Sequence, residues 1–332
     1  MIPNAPLFSS PFILAPLAGY TDAPFRHIAH EWGSGGAVTE MISAEGLARD
    51  SRNTEALLAR YDGEKPLVAQ LFGPSLDPFM RCVDRLMEYA PDMIDINCGC
   101  PVAKVVKTGA GSALMRRPDE IHRIVDHLVR NTPCPVSVKF RLGWDSSSLN
   151  YMEVASAAAD AGAWMLTLHA RTRSQGYSGK ADWSHIARLK EHMRGTDVKI
   201  FASGDIFSAQ DAVDVMDRTG CDGVMIARGA MGNPFIFTQA ARLQEGRGWQ
   251  VSLKERKTTM LRHLDYMVQA FGDDVAMRDM RKHAVHYVKG LRGAGQAKAM
   301  INVARSREDY ERALDMLDDE GAVPQVENTF EF

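Results

Sequence analysis

At 332 residues with a formal net charge of −3, the chain exceeds the size at which one core stops growing, and it is not a wholly basic nucleic-acid binder. No run approaches ~18 apolar residues, and Pro3 and Pro6 near the start follow no basic stretch leading an apolar one, so neither a membrane span nor a cleaved signal peptide is expected. Cys82, Cys98, Cys100, Cys134 and Cys221 lack the spacing of a disulfide framework, which points to a reducing cytoplasm.

From Phe12 onward, short β-rich runs alternate with longer segments of helical period. The predicted strands are Phe12–Ala15, Ala37–Thr39, Leu67–Leu71, Met93–Asn97, Val136–Phe140, Met165–His169, Lys199–Ser203 and Gly223–Ile226. Eight such units predict an α/β fold, a (β/α)8 TIM barrel; a doubly wound sheet is the alternative, but no GxGxxG follows the first strand. Polar residues collect where these strands end, the end at which barrels carry chemistry. They include Glu40, Gln70, Asn97, Cys100, Lys139, Arg141, His169, Arg171, Asp205 and Arg228.

Two of these strand ends stand out. Asp95-Ile96-Asn97-Cys98-Gly99-Cys100-Pro101 turns a buried strand abruptly into a loop bearing an amide and a thiol, poor for packing but suited to proton transfer. After the seventh and eighth predicted strands come Ser203-Gly204-Asp205 and Ala227-Arg228-Gly229-Ala230, where barrels grip a phosphate with Gly-rich turns, and Arg228 supplies a guanidinium to match. Cys98 and Cys100 have no second Cys or His pair nearby to complete a tetrahedral set, so no metal is expected there. His122, His127, His185 and His192 fall in helical segments, whereas His169 falls at a strand end.

After about Phe237 the rhythm changes to helices alone, predicted over Leu253–Phe271, Met277–Leu291 and Ala297–Arg305. The expected domains are therefore a barrel over 1–243 and a helical domain over 244–332 with an acidic tail. Between Arg278 and Arg307 eight basic residues face one acidic residue, Asp279. Arg278, Arg281 and Lys282, at helical spacing, are expected to share a face that follows a phosphate backbone, with Lys289, Arg292 and Lys298 near its continuation.

The motifs resemble those of the tRNA-dihydrouridine synthases, most like their bacterial B-type branch. The resemblance rests on Ala15-Pro16-Leu17-Ala18-Gly19-Tyr20-Thr21-Asp22, Gln70-Leu71, the Cys-Gly-Cys-Pro loop with Lys104-Val105, Val138 to Trp144, His169-Ala170-Arg171-Thr172-Arg173, Ser203 to Ile206, and Ala227 to Ala230. It implies an FMN-binding barrel, a helical tRNA-binding domain, a monomer, and NADPH-dependent reduction of uridine in the tRNA D-loop. Carried over by motif, Pro16, Leu17 and Ala18 line the flavin, Gln70 and Lys139 bond its ring, and His169 lies beside it. Ser203, Gly204, Asp205, Ala227 and Arg228 hold its ribityl and phosphate. Asn97, Lys104, Arg141, Arg171 and Arg173 meet the target base or its phosphates, and Cys100 donates the proton. Leu17, Ser203 and Ala227 depart from the family's usual Met, Asn and Gly; the last two are expected to weaken FMN retention. A thiol suits the donor role because its reference pKa of ~8.5 keeps it protonated at neutral pH yet able to release the proton. Related expectations that the motifs leave open are a flavin-barrel dehydrogenase for a free pyrimidine and flavin-assisted carbon transfer to uracil C5 of RNA.

Overall fold

A computed structural model describes residues 7–318. The strands are β1 (Phe12–Leu14), β2 (Ala37–Val38), β3 (Ile42–Ser43), β4 (Leu67–Phe72), β5 (Met93–Cys98), β6 (Val136–Arg141), β7 (Met165–His169), β8 (Lys199–Ser203) and β9 (Gly223–Ile226). All pairings between them are parallel, and β1 pairs with both β2 and β9 while β2 pairs with β4, closing eight strands into a barrel. β3 continues the path of β2 along β4 after a break at residues 39–41, with Ile42 opposite Leu71. No strand is expected there from sequence, because it follows β2 with no helix between them and two residues carry no alternation of their own.

Side chains alternate across each strand, and that period sorts the barrel into two environments. Outward positions such as Ile94, Ile96, Val136, Val138, Leu166, Leu168, Val224 and Ile226 are fully buried against the surrounding helices. The inward positions divide along the axis. Ile13, Val38, Val68, Met93, Met165, Phe201 and Met225 form an apolar lower layer. The Phe8 ring, 6.0 Å from Trp164 and 5.7 Å from Phe201, packs against that end. One or two inward steps further along, these strands and β6 present Gln70, Asp95, Asn97, Ser137, Lys139, Thr167, His169 and Ser203. Burying so many polar groups is tolerable only if they partner one another or a ligand.

Beyond the barrel come helices Leu253–Phe271, Asp273–Tyr287, Ala294–Val303 and Arg307–Asp315. The second begins four residues before its predicted start because Asp273 and Asp274, which read as loop, fill its first turn and favour the positive end of its dipole. The fourth was not expected. It opens with a capping box in which Ser306 and Asp309 exchange hydrogen bonds, a signal present in the sequence as Ser-x-x-Asp. These helices share a core built on Met260, Leu264, Met280, Tyr287, Ile301 and Tyr310, to which Phe235 also belongs. Among the described residues no helix is long and apolar enough to cross a membrane. The acidic tail predicted from sequence lies, over residues 319–332, outside the described residues.

Candidate active site

The polar end of the barrel opens into a cleft. Pro16, Leu17, Lys139, His169, Ser203, Gly204, Asp205, Ala227 and Arg228, all singled out from sequence, line it, together with Tyr177 and Phe207, which were not. Its charge is mostly positive and shielded. Burial pushes the Lys139 ammonium down to about 8, with Arg141 adding to the effect and Asp95 opposing it. Burial likewise lowers Arg141 to about 10 and holds His169 well below its ordinary value, where neighbouring cations also disfavour the imidazolium. His169 is therefore neutral, and its buried Nε2 has no hydrogen-bond partner.

Two arginines converge on one carboxylate. Asp205 accepts from Arg171 Nη2 at 2.7 Å, from the Ala181 amide at 2.8 Å and from Arg228 Nη2 at 3.4 Å, and it adopts the left-handed backbone conformation (φ 55°) to do so. The Arg228 guanidinium also stacks 4.7 Å from the Tyr177 ring and 4.9 Å from Phe207. Gly204 has no room for a side chain. At φ +109° a Cβ would stand 3.0 Å from both Ala181 Cβ and His169 Cδ2, so the backbone here reaches the cleft wall only as glycine.

The cysteine loop is set by a chain of buried side chains. Asp95, wholly buried, accepts from the Ser137 hydroxyl and, at 2.6 Å, from Gln70 Nε2. Gln70 Oε1 in turn accepts from Asn97 Nδ2 at 2.8 Å, and Asn97 Oδ1 accepts the amides of Gly99 at 3.1 Å and Cys100 at 2.9 Å. Each amide is thereby fixed in one orientation by the carboxylate below it. Arg141 supports the loop from the other side, donating to the Gly99 carbonyl at 2.8 Å and to Thr172 and Gly176 at 3.0 and 2.8 Å. Gly111 lies under the loop, where a Cβ would come within 2.7 Å of the Cys100 carbonyl oxygen.

The two thiols of the motif differ because of strand parity. Cys98 faces outward into the apolar layer and is fully buried, and burial raises its pKa far beyond reach. Cys100, past the strand end, is half-buried. Burial raises its pKa as well, while a hydrogen bond from the Val102 backbone and the charges of Arg141 and Lys139 draw it back. It is thus a neutral thiol with cations near enough to favour the thiolate once a proton leaves.

The dihydrouridine synthase family model matches residues 13–320. A probable tRNA-dihydrouridine synthase from Treponema pallidum is 42% identical over 290 residues, covering 85% of each chain. The chain belongs to the dihydrouridine synthase family. Relatives named tRNA-dihydrouridine synthase B, from Pasteurella multocida and Pseudomonas aeruginosa, are 36% and 35% identical, covering 84% and 87% of this chain and 83% and 87% of theirs.

For this dihydrouridine synthase the remaining sequence-predicted residues lie around the cleft rather than in it. Ala18 belongs to the turn after β1, and Gln70 sits one layer below the cleft. Lys104 is exposed on the short helix Ala103–Val106, just after the cysteine loop. Arg173 stacks 4.5 Å from the Trp144 ring, whose other guanidinium neighbour, Arg116, is at 4.3 Å. The predicted stripe Arg278, Arg281, Lys282 divides in three. Arg278 is exposed and paired with Asp279 at 2.8 Å; Lys282 Nζ lies 5.8 Å from the Tyr20 ring. Arg281 donates through Nε and Nη2 to the Ala304 carbonyl at 3.0 and 2.6 Å, capping the C-terminal end of helix Ala294–Val303. An Arg281 charge reversal therefore disturbs the fold as well as the field. Lys289 and Lys298 are close enough that each depresses the pKa of His286.

Proposed function

We propose that the chain reduces the C5–C6 double bond of a uridine in the tRNA D-loop, with FMN in the barrel cleft and NADPH as reductant. Residues 1–243 form the catalytic domain and 244–332 the tRNA-binding domain of a cytoplasmic monomer. The observation that carries this reading is a half-buried neutral thiol, Cys100, at the end of a hydrogen-bonded amide chain beside a cationic cleft. A flavin fits the residues present: the partnerless His169 Nε2 needs a polar group, and Arg228, which lines the cleft beside Tyr177, suits a phosphate. Lys139 and His169 would hold the ring, Gln70 would act beneath them through Asp95 and Asn97, and Gly204, Ala227 and Arg228 would hold the ribityl phosphate end.

When bound, FMN supplies a hydride for C6 of the base, and NADPH restores it. Cys100 holds the proton for C5 and releases it as the base gains negative charge. Lys139 and Arg141 stabilise the thiolate left behind and charge on the base O4. Extruding the base from its stack costs a few kcal/mol, offset by phosphate contacts from Lys104, Arg173 and the basic helices.

The purified protein is expected to be yellow, to bleach with NADPH in the absence of oxygen, and to recover its colour on addition of unmodified tRNA with dihydrouridine as product. Recovery with a free pyrimidine but not with tRNA would instead make it a small-molecule dehydrogenase.

A further inference from the structure

A second constellation lies away from the cleft, where the barrel meets the helical tail. Asp22 caps helix Ala23–Glu31, His263 comes from helix Leu253–Phe271, and His283 from helix Asp273–Tyr287. One donor atom from each lies within 4.8 Å of the other two. His263 is fully buried and His283 is 1% exposed, yet the Nε2 atom of each has no hydrogen-bond partner. Two partnerless imidazole nitrogens in one buried spot are a cost that a native core seldom carries without an ion or water between them. The Asp22 Oδ2 to His283 Nε2 separation of 3.8 Å is too long for a hydrogen bond. It is close to the spacing of roughly 3.3–3.6 Å that two ligands take around a tetrahedral ion with bonds of ~2.0–2.2 Å.

We propose that Asp22, His263 and His283 bind a divalent first-row transition ion of the zinc type that clasps the barrel to the helical domain. Nitrogen and carboxylate donors suit such an ion better than magnesium or calcium, which prefer oxygen ligands alone. The surroundings orient the ligands. Asp22 Oδ1 is fixed by the Phe25 amide at 3.0 Å, and the Tyr287 hydroxyl meets His263 Nδ1 at 3.4 Å, leaving Nε2 for the ion. Phe25 stacks on the His263 ring, with centroids 5.5 Å apart, and limits its rotation. The Asp22 side chain is 14% exposed, which gives water access to a fourth position. Asp22 ends the same turn that brings Pro16 and Leu17 into the cleft, so the ion would brace one wall of the cleft against the helices.

The full-length protein, stripped with a chelator and dialysed, is titrated with Zn²⁺ and separately with Co²⁺. One equivalent of either ion is expected to bind per chain. The Co²⁺ form should show visible d–d bands without the near-ultraviolet band of a cobalt thiolate, and its melting temperature should rise. Asn caps a helix about as well as Asp, so Asp22→Asn keeps the cap but loses the anionic ligand. Metal affinity should then fall by ~100-fold or more, above the ~10–100-fold typical of outer-shell partners. Failure to bind a stoichiometric ion, a thiolate band, or undiminished affinity in folded Asp22→Asn would each overturn the assignment.

Discussion

Asp95→Asn tests the amide chain that aims Cys100. The wild-type carboxylate accepts from both Ser137 and Gln70, which forces the Gln70 carbonyl toward Asn97 and the Asn97 carbonyl toward the Gly99 and Cys100 amides. An Asn at position 95 can keep the Gln70 bond by donating its own NH₂ to the Ser137 oxygen, which strands the hydroxyl hydrogen; turned the other way, it accepts from Ser137 and sets donor against donor at Gln70. Gln70 can flip to relieve this, but then faces Asn97 with its NH₂, and a flip of Asn97 removes two acceptor bonds from the cysteine loop. The mismatch must settle somewhere along the chain, and a buried unsatisfied group costs ~1–3 kcal/mol. Its most damaging resting place is the loop, where a displacement of about 1 Å can cost ~10²-fold in rate. We expect Asp95→Asn to retain flavin and tRNA affinity, to melt a few degrees lower, and to turn over ~10–100-fold more slowly. Asp95 also supports the Lys139 charge, so the alkaline limb of the rate profile should move to lower pH. Single-turnover reoxidation of the reduced enzyme by unmodified tRNA, followed across pH, measures both effects. Wild-type rate and an unmoved limb in a folded variant would refute the relay.

The wild-type profile is itself a test. The folded pKa of Lys139 is depressed to about 8, so its ammonium is complete below that pH and is lost as pH rises through it; single-turnover rate should decline across the same range, and a flat profile would remove Lys139 from the reaction. Gly111→Ala places a methyl against the Cys100 carbonyl at φ +58°, and should lower the rate while leaving flavin content intact, with a stability loss of ~1–3 kcal/mol visible by denaturant titration. In the helical tail, Lys282→Ala with Lys298→Ala should flatten the slope of log affinity for tRNA against log salt by ~0.7–0.9 for each phosphate contact removed. Arg281→Ala should instead lower stability by about 1–2 kcal/mol, because it strips the cap from Ala304; an equal salt effect from both sets would show that the capping contact is incidental.

The barrel could be read from sequence because its strands are long enough for the period of two to show, and their inward positions change from apolar to polar at a fixed depth. Met93, Asp95 and Asn97 display that change within one strand. β3 could not be read: it is as short as β2, but it follows β2 with no helix between them, so the strand–helix alternation does not mark it. In the cleft, Gly204, Asp205 and Arg228 announced themselves by residue type at strand ends. Tyr177 and Phe207 did not, because an aromatic in a loop reads equally well as packing. Asp95 appeared in the motif but its part did not: a carboxylate inside a strand shows its partners only when Ser137 and Gln70 arrive from neighbouring strands. The tail shows the same limit in reverse. Helical spacing grouped Arg281 with Lys282, and only the packing of helix Ala294–Val303 turns the first inward to Ala304 while the second lies by Tyr20.

The central claim is that the Cys100 thiol supplies the proton to the base, and the most direct test is the reoxidation rate of flavin-reduced Cys100→Ala by unmodified tRNA in a single turnover. A general acid contributes ~10²–10⁴-fold, so the rate should fall by that factor with flavin content and tRNA affinity unchanged, while Cys98→Ala stays near wild type. A Cys100→Ala rate close to wild type, with dihydrouridine formed, would contradict the account.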